Sequence, residues 1–126
     1  MLRAPLDVKA GQIGELTTLV ELPAPDNVEM DRAGRLWVAL PIKNQVVIVD
    51  TRSRVVHSAF HAQTLGQIET ADLFVRRGKA STPRMELFPP AMWEPLPGPI
   101  TGIILAPDQK TVYLSGLGDA LIRLPR

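Results

Sequence analysis

"LPAPDNVEMDRAGRLWVALP", Leu22 to Pro41, is the stretch on which the fold turns. Pro23, Pro25 and the Asp26-Asn27 pair spell a turn, because proline presets φ while Asp and Asn bond their own backbone. "NVEMD" then alternates, with Val28 and Met30 on one face and Glu29 and Asp31 on the other, as a half-buried strand requires. Gly34 in "RAG" can take the left-handed conformation of a tight hairpin, and "RLWVALP" returns as a second strand. The stretch is a β-hairpin with an Asp-Asn pair at its mouth.

"ELTTLVE" (Glu15 to Glu21) reads as a strand before the hairpin. "NQVVIVD" follows it through the short "IKN" connection, for four short antiparallel strands. The middle changes character. Val56, Phe60, Leu65 and Ile68 recur at roughly helical spacing, so a helix or helix-plus-turn is expected between Arg52 and Ala71. "DLFVRR" suggests a further strand and "GKASTP" a polar loop. Strands resume with "RMELF" or "AMWEPL", the turn "PGP", then "ITGIILA", "PDQK", "TVYLSG", "LGD" and "ALIRL".

The two β-rich ends repeat each other. "VEMDRAGRLWVA" aligns with "IILAPDQKTVYLS" if Thr111 is a one-residue insertion. Val28 then falls on Ile103, Met30 on Leu105, Trp37 on Tyr113 and Val38 on Leu114. Tandem antiparallel meanders with aromatics at matching places are the signature of propeller blades, against the plainer alternative of a two-sheet sandwich. The expectation is an all-β partial propeller of about two four-stranded blades. One blade-like unit spans about 14–50, an insert, helical or irregular, about 52–83, and a second unit about 84–126. Trp37, Tyr113, Val38 and Leu114 are assigned to the packing between blades, and Trp93 to the edge of the last one.

Bulk composition agrees with one ordinary soluble domain. The chain has 126 residues, 45% hydrophobic, with a formal net charge of +1, which argues against a nucleic-acid binder. Twelve prolines and nine glycines suit an all-β chain rich in turns. With no cysteine, disulfides and thiolate metal sites are excluded. No apolar run approaches the roughly 20 residues of a membrane span. The opening "MLRAPLDVKAGQIGEL" lacks a signal peptide's apolar region, so a cytoplasmic location is expected.

At this point the residues resemble a known superfamily. "LPAPDNVEMDRAGRLWVA" with "KNQVVIVD" is similar to the penultimate blade of the gluconolactonase, senescence-marker-protein and strictosidine-synthase-like six-bladed propellers. "GPITGIILAPDQKTVYLSGLGDALIRL" is similar to their last blade. The resemblance implies a central channel in which a carboxylate of the "PD" motif helps hold a divalent cation, Ca²⁺ or Zn²⁺, and serves as base in lactone or ester hydrolysis. Asp26 matches that position as ligand and catalytic base. Asn27, at the place of the strictosidine-synthase-like "PDN", is a second candidate ligand, and Thr101 matches the small polar residue turned toward the substrate channel. The glutamate of true strictosidine synthases has no counterpart among Ile100, Thr101 and Gly102. Chemically, a hard cation gathers oxygens from several chain segments and polarises a carbonyl while a carboxylate orients water.

A complete ring at four strands per blade needs roughly 250–300 residues. The expectation is therefore a fragment of, or subunit contributing to, a metal-dependent lactonase or esterase-like hydrolase. The other possibility is a non-catalytic interaction module. Two blades leave apolar faces uncovered, so self-association or a complementary N-terminal propeller part is the expected partner. If the chain is active, a small lactone or ester is the expected substrate, with neither nucleic acid nor membrane involved. Other motifs carry less. His57 and His61 would share a helix face as a metal pair could, with Glu69 two turns on, but the ordinary reading is an amphipathic segment. Arg76, Arg77, Lys79 and Arg84 in "RRGKASTPR" make a solvated basic loop without P-loop context, and "SGLGD" lacks the spacing of a dinucleotide site.

Overall fold

The computed structural model describes residues 1–83, 87 and 89–125. The described chain is mostly antiparallel β with one α-helix, and its sheets do not close. An N-terminal ribbon is built from four two-residue strands: β1 (Leu2–Arg3) pairs with β4 (Thr17–Thr18), and β2 (Leu6–Asp7) with β3 (Gln12–Ile13). Next come β5 (Val28–Met30), β6 (Arg35–Leu40), β7 (Gln45–Asp50) and β8 (Val56–His61), which form a four-stranded meander in sequence order. Helix α1 (Leu65–Lys79) follows. The chain ends with a three-stranded meander of β9 (Ile100–Leu105), β10 (Thr111–Gly116) and β11 (Ile122–Pro125).

Alternation decides which way each strand faces. Trp37, Ala39 and Val46 point to one side of the first sheet, and Val38, Leu40, Val47 and Val49 to the other. On the Trp37 side lies the second sheet, whose Ile103, Leu105, Val112 and Leu114 complete the main core. The Val38 side is capped by Leu19, with Met1, Val20 and Leu22. Both faces of the first sheet are thus occupied, whereas the second sheet turns its Ile104 and Tyr113 side away from the core.

The expected repeat appears in the strand register. Val28 opposes Val38 and Met30 opposes Leu36, as Ile103 opposes Leu114 and Leu105 opposes Val112. Trp37, Val38 and Leu114 are buried as expected, while Tyr113 is half-buried on the outward face. The two copies meet by unlike faces: the Trp37 side of the first sheet packs on the Leu114 side of the second.

The first sheet takes a different fourth strand from the one expected. Of "ELTTLVE" only Thr17–Thr18 is strand, and it belongs to the N-terminal ribbon. The fourth strand is β8, inside the segment expected to be helical from Arg52. A tight turn feeds it: the Asp50 carboxylate accepts from the N–H groups of Arg52 (2.9 Å) and Ser53 (2.8 Å), and Arg54 takes φ +64. The β-branched pair Val55-Val56 favours an extended chain at that point.

The helix starts later than expected. Thr64 and Gln67 close a reciprocal capping box, the Thr64 hydroxyl accepting from the Gln67 N–H and the Gln67 side chain from the Thr64 N–H. "DLFVRR" lies within this helix, burying Ala71 and Phe74, and is not a strand. "AMWEPL" begins inside a 3-10 turn at Pro90–Met92, and "RMELF" falls outside the described residues apart from Leu87. Asn44, fully buried at φ 43, ties the insert to the first sheet by donating from Nδ2 to the Trp93 carbonyl at 3.0 Å.

Candidate functional site at the strand mouths

Asp26 and Asn27 extend the β5–β6 pairing by one step beyond Val28. The Asp26 N–H donates to the Ala39 carbonyl and the Ala39 N–H to the Asn27 carbonyl, both at 3.0 Å. Ala24 at φ 46, between Pro23 and Pro25, swings the chain into that position. Both side chains are exposed. Thr101, half-buried, occupies the matching place at the start of β9.

The fold brings two of these residues together across sheets. Asn27 donates from Nδ2 to the Thr101 carbonyl at 2.6 Å, and Asp26 is the next residue in the chain. With its NH₂ committed to a carbonyl, the Asn27 amide oxygen faces the other way, available to a donor or a cation. At the opposite end of the same strands, Arg32 donates from its guanidinium to the Pro107 carbonyl at 2.6 Å and from its N–H to the Gln109 side chain at 3.1 Å. Arg32 and Pro107 are equivalent positions of the repeat. Strands β5 and β9 therefore run side by side in one direction, with their starts at a common mouth.

The "SGLGD" loop fixes the start of β9. Its Leu117 N–H donates to the Pro99 carbonyl at 3.4 Å, and a Cβ on Gly118 would meet the Pro97 backbone at 2.6 Å. Pro97, Pro99, Pro90, Trp93 and Leu117 line an open groove of about 330 Å³ with no charged side chain among the described residues.

Whether these residues fit a divalent cation is answered by their donor atoms. Asp26 offers a carboxylate and Asn27 an amide oxygen, while Ca²⁺ takes about six to eight oxygens and Zn²⁺ commonly four ligands. Among the described residues no three His, Cys, Asp or Glu side chains group to hold a metal ion. The described residues by themselves do not complete such a site. His57 and His61 are exposed on β8, not on a helix. A bulge opposite Val46 and Val47 reverses the alternation between them, so His57 lies opposite Ile48 and His61 opposite Gln45, on different faces. Glu69 sits apart on α1. Arg76, Arg77 and Lys79 form the last turn of α1, where cations complement the helix dipole, and Arg84 lies outside the described residues. Among the described residues no helix is long and apolar enough to cross a membrane.

The residue that sequence reasoning undervalued is Asp31. It is buried, and its carboxylate accepts from the N–H groups of Ala33 and Arg35 (both 3.0 Å), Arg35 Nε (2.9 Å) and Trp37 Nε1 (3.2 Å), with Arg35 Nη2 in an ion pair at 2.7 Å. Burial pushes its pKa up, but the Arg35 side chain and N–H together with the Trp37 indole outweigh this and hold it far below the usual carboxylate range. The spacing "DRAGRLW" was the available signal: an Asp at the turn entrance, Gly at its left-handed position, and Arg and Trp on the return strand. Those residues knit the hairpin and leave nothing free for chemistry. No family model, no curated protein and no solved structure matches the chain.

Proposed function

We propose that the chain is a two-blade portion of a propeller-type hydrolase of the lactonase or esterase kind. In this reading it contributes Asp26 and Asn27 to a channel whose remaining ligands come from further blades. The observation that carries the proposal is the Asn27–Thr101 hydrogen bond at the common mouth of β5 and β9. Residues 74 positions apart meet there because equivalent strands of two repeats lie in parallel. Stacking by unlike faces supports blades over a sandwich: a two-fold sandwich of two copies brings like faces together, whereas a rotation carrying each copy onto the next brings unlike ones together. The uncharged groove beside Pro99 suits the apolar portion of a small ester or lactone.

One observation favours a second reading, a non-catalytic interaction module. Asp26 is exposed, and it belongs to no cluster of three potential metal ligands among the described residues. One experiment separates the two. The chain and its Asp26→Ala variant are titrated with Ca²⁺ and Zn²⁺ while backbone amide shifts are followed. Shifts confined to Asp26, Asn27 and Thr101 at millimolar Ca²⁺ or Zn²⁺, lost in Asp26→Ala, support a partial ligand set of the hydrolase reading, whose hydrolysis needs the further blades. Scattered or absent shifts leave the module.

A further inference from the structure

The seam between the insert and the first sheet holds two buried oxygen atoms that no donor among the described residues reaches. Asn44 closes the 3-10 turn Pro41–Lys43, and Gln63 follows the end of β8 by two residues. Asn44 is fully buried, and its Oδ1 has no hydrogen-bond partner. Oε1 of Gln63 is buried and unpartnered in the same way. Neither amide can be turned over to remove the defect. Nδ2 of Asn44 donates to the Trp93 carbonyl and Nε2 of Gln63 to the Ile42 carbonyl, both at 3.0 Å. Exchanging O and N in either group would set oxygen against oxygen and strip a carbonyl of its donor. An acceptor buried in this way has given up its hydration without return, so the seam calls for a donor.

The two oxygens share one neighbourhood. The Asn44 carbonyl accepts at 3.3 Å from the N–H of Ala62, the residue before Gln63. Both residues also hold the same turn, Gln63 through the Ile42 carbonyl and Asn44 through its N–H to the Pro41 carbonyl at 3.2 Å. We infer that this seam binds one internal water molecule, which donates one hydrogen to Asn44 Oδ1 and the other to Gln63 Oε1. The count of acceptors favours water over a cation. The carbonyls of Pro41, Ile42, Asn44 and Trp93 each already accept an N–H, which leaves two oxygens for the two hydrogens of a water. A hard cation would want about six oxygens. The water sits in the joint that sets the groove wall. Trp93, which lines the groove, is held to this turn at its carbonyl by Asn44 and at its indole N–H by the Pro41 carbonyl at 3.2 Å. The site is independent of Asp26 chemistry and stands apart from the hydrolase reading.

The test is a high-resolution crystal structure of the full chain, joined to oxygen-17 relaxation dispersion of wild type and Gln63→Met in solution. The crystal is expected to show one water within about 3 Å of both Asn44 Oδ1 and Gln63 Oε1. In solution the signal from long-lived internal water should fall by about one molecule in Gln63→Met, which keeps the length of the side chain and removes its oxygen. Asp26→Ala should leave that signal unchanged, which separates this result from failure of the hydrolase reading. A protein donor on either oxygen, a dry seam, separate waters on the two oxygens or a metal ion between them overturns the inference. So does a long-lived-water signal that Gln63→Met leaves undiminished. Circular dichroism matching wild type confirms that the variant is folded, and the wild-type crystal decides the matter should it not be.

Discussion

The two hairpins that open the sheets share one register and differ in how they are locked. In the first, from Val28 to Leu40, the Asp31 carboxylate gathers two backbone N–H groups, a guanidinium and an indole. In the second, from Ile100 to Gly116, Ala106 stands in place of Asp31, and at the turn Asp108 accepts from the Lys110 N–H at 2.9 Å. Both turns close on equivalent backbone bonds, Gly34 to Asp31 at 2.9 Å and Gln109 to Ala106 at 2.8 Å. What repeats is therefore the hydrophobic register and the turn. The carboxylate lock is local reinforcement, so the "D-x-x-G-x-L-W" pattern that makes the first copy distinctive reports on hairpin stability more than on a reaction.

The largest expected effect contrasts two faces of the second sheet. Leu114 is fully buried against the first sheet while Ile104 is 65% exposed. Leu114→Ala should cost about 3–4 kcal/mol, through lost burial and the cavity left behind. Ile104→Ala should change stability by less than about 0.5 kcal/mol. Urea unfolding in dilute solution measures both. Equal costs would mean that the sheets do not pack by the unlike faces described.

Next comes the lock. Asp31→Asn removes the charge that satisfies Arg35 and weakens the bond to a buried indole, at a cost of about 2–3 kcal/mol, tempered because Arg35 reaches solvent. Asp108→Ala, at an exposed turn, should cost only a few tenths of a kcal/mol. The pH dependence has a definite sign. Folding depresses the Asp31 pKa, so its contribution is complete above the unfolded value of 3.8 and declines as pH falls below it toward the folded value. Wild type should lose stability below about pH 4 more steeply than Asp31→Asn. Parallel curves for the two proteins would remove Asp31 as the hub.

Much of this architecture could be read from residue order alone, because alternation is a local signal. Val28 and Met30 against Glu29 and Asp31 mark a strand, and the matching places of Trp37 with Tyr113 and Val38 with Leu114 give the shared register. The outward turn of Tyr113, by contrast, depends on how the sheets stack. Placement of the fourth strand could not be read so easily. Val56 and Phe60 stand four apart, which suits a helix, yet the Asp50 turn and the β-branched Val55-Val56 pull the chain into a hairpin, and the bulge lets Phe60 still reach the core. The helix start was written plainly at Thr64 and Gln67 but lay inside the span already given to a helix. Asp26, Asn27 and Thr101 could be singled out by resemblance. The Asn27–Thr101 contact depends on how two sheets stack, which no local spacing encodes.

The smallest expected effect sharpens the comparison between the two turns. Gly34 sits at φ +78 and Gln109, its equivalent, at φ +62, so one copy meets the left-handed requirement with glycine and the other with a side chain. A Cβ added at Gly34 meets no atom within 4 Å. The penalty of Gly34→Ala is therefore conformational, about 1 kcal/mol, with no steric contribution. Gln109 bears the same strain but recovers part of it, since its side chain accepts from the Arg32 N–H across the sheets. Gln109→Ala keeps the strained backbone and loses that bond, so it should cost about 0.5–1 kcal/mol, and Gln109→Gly less, because relief of strain offsets the lost contact. If Gln109→Gly proves as costly as Gln109→Ala, backbone strain is absent from the second turn, and the bridge to Arg32 alone accounts for the glutamine there.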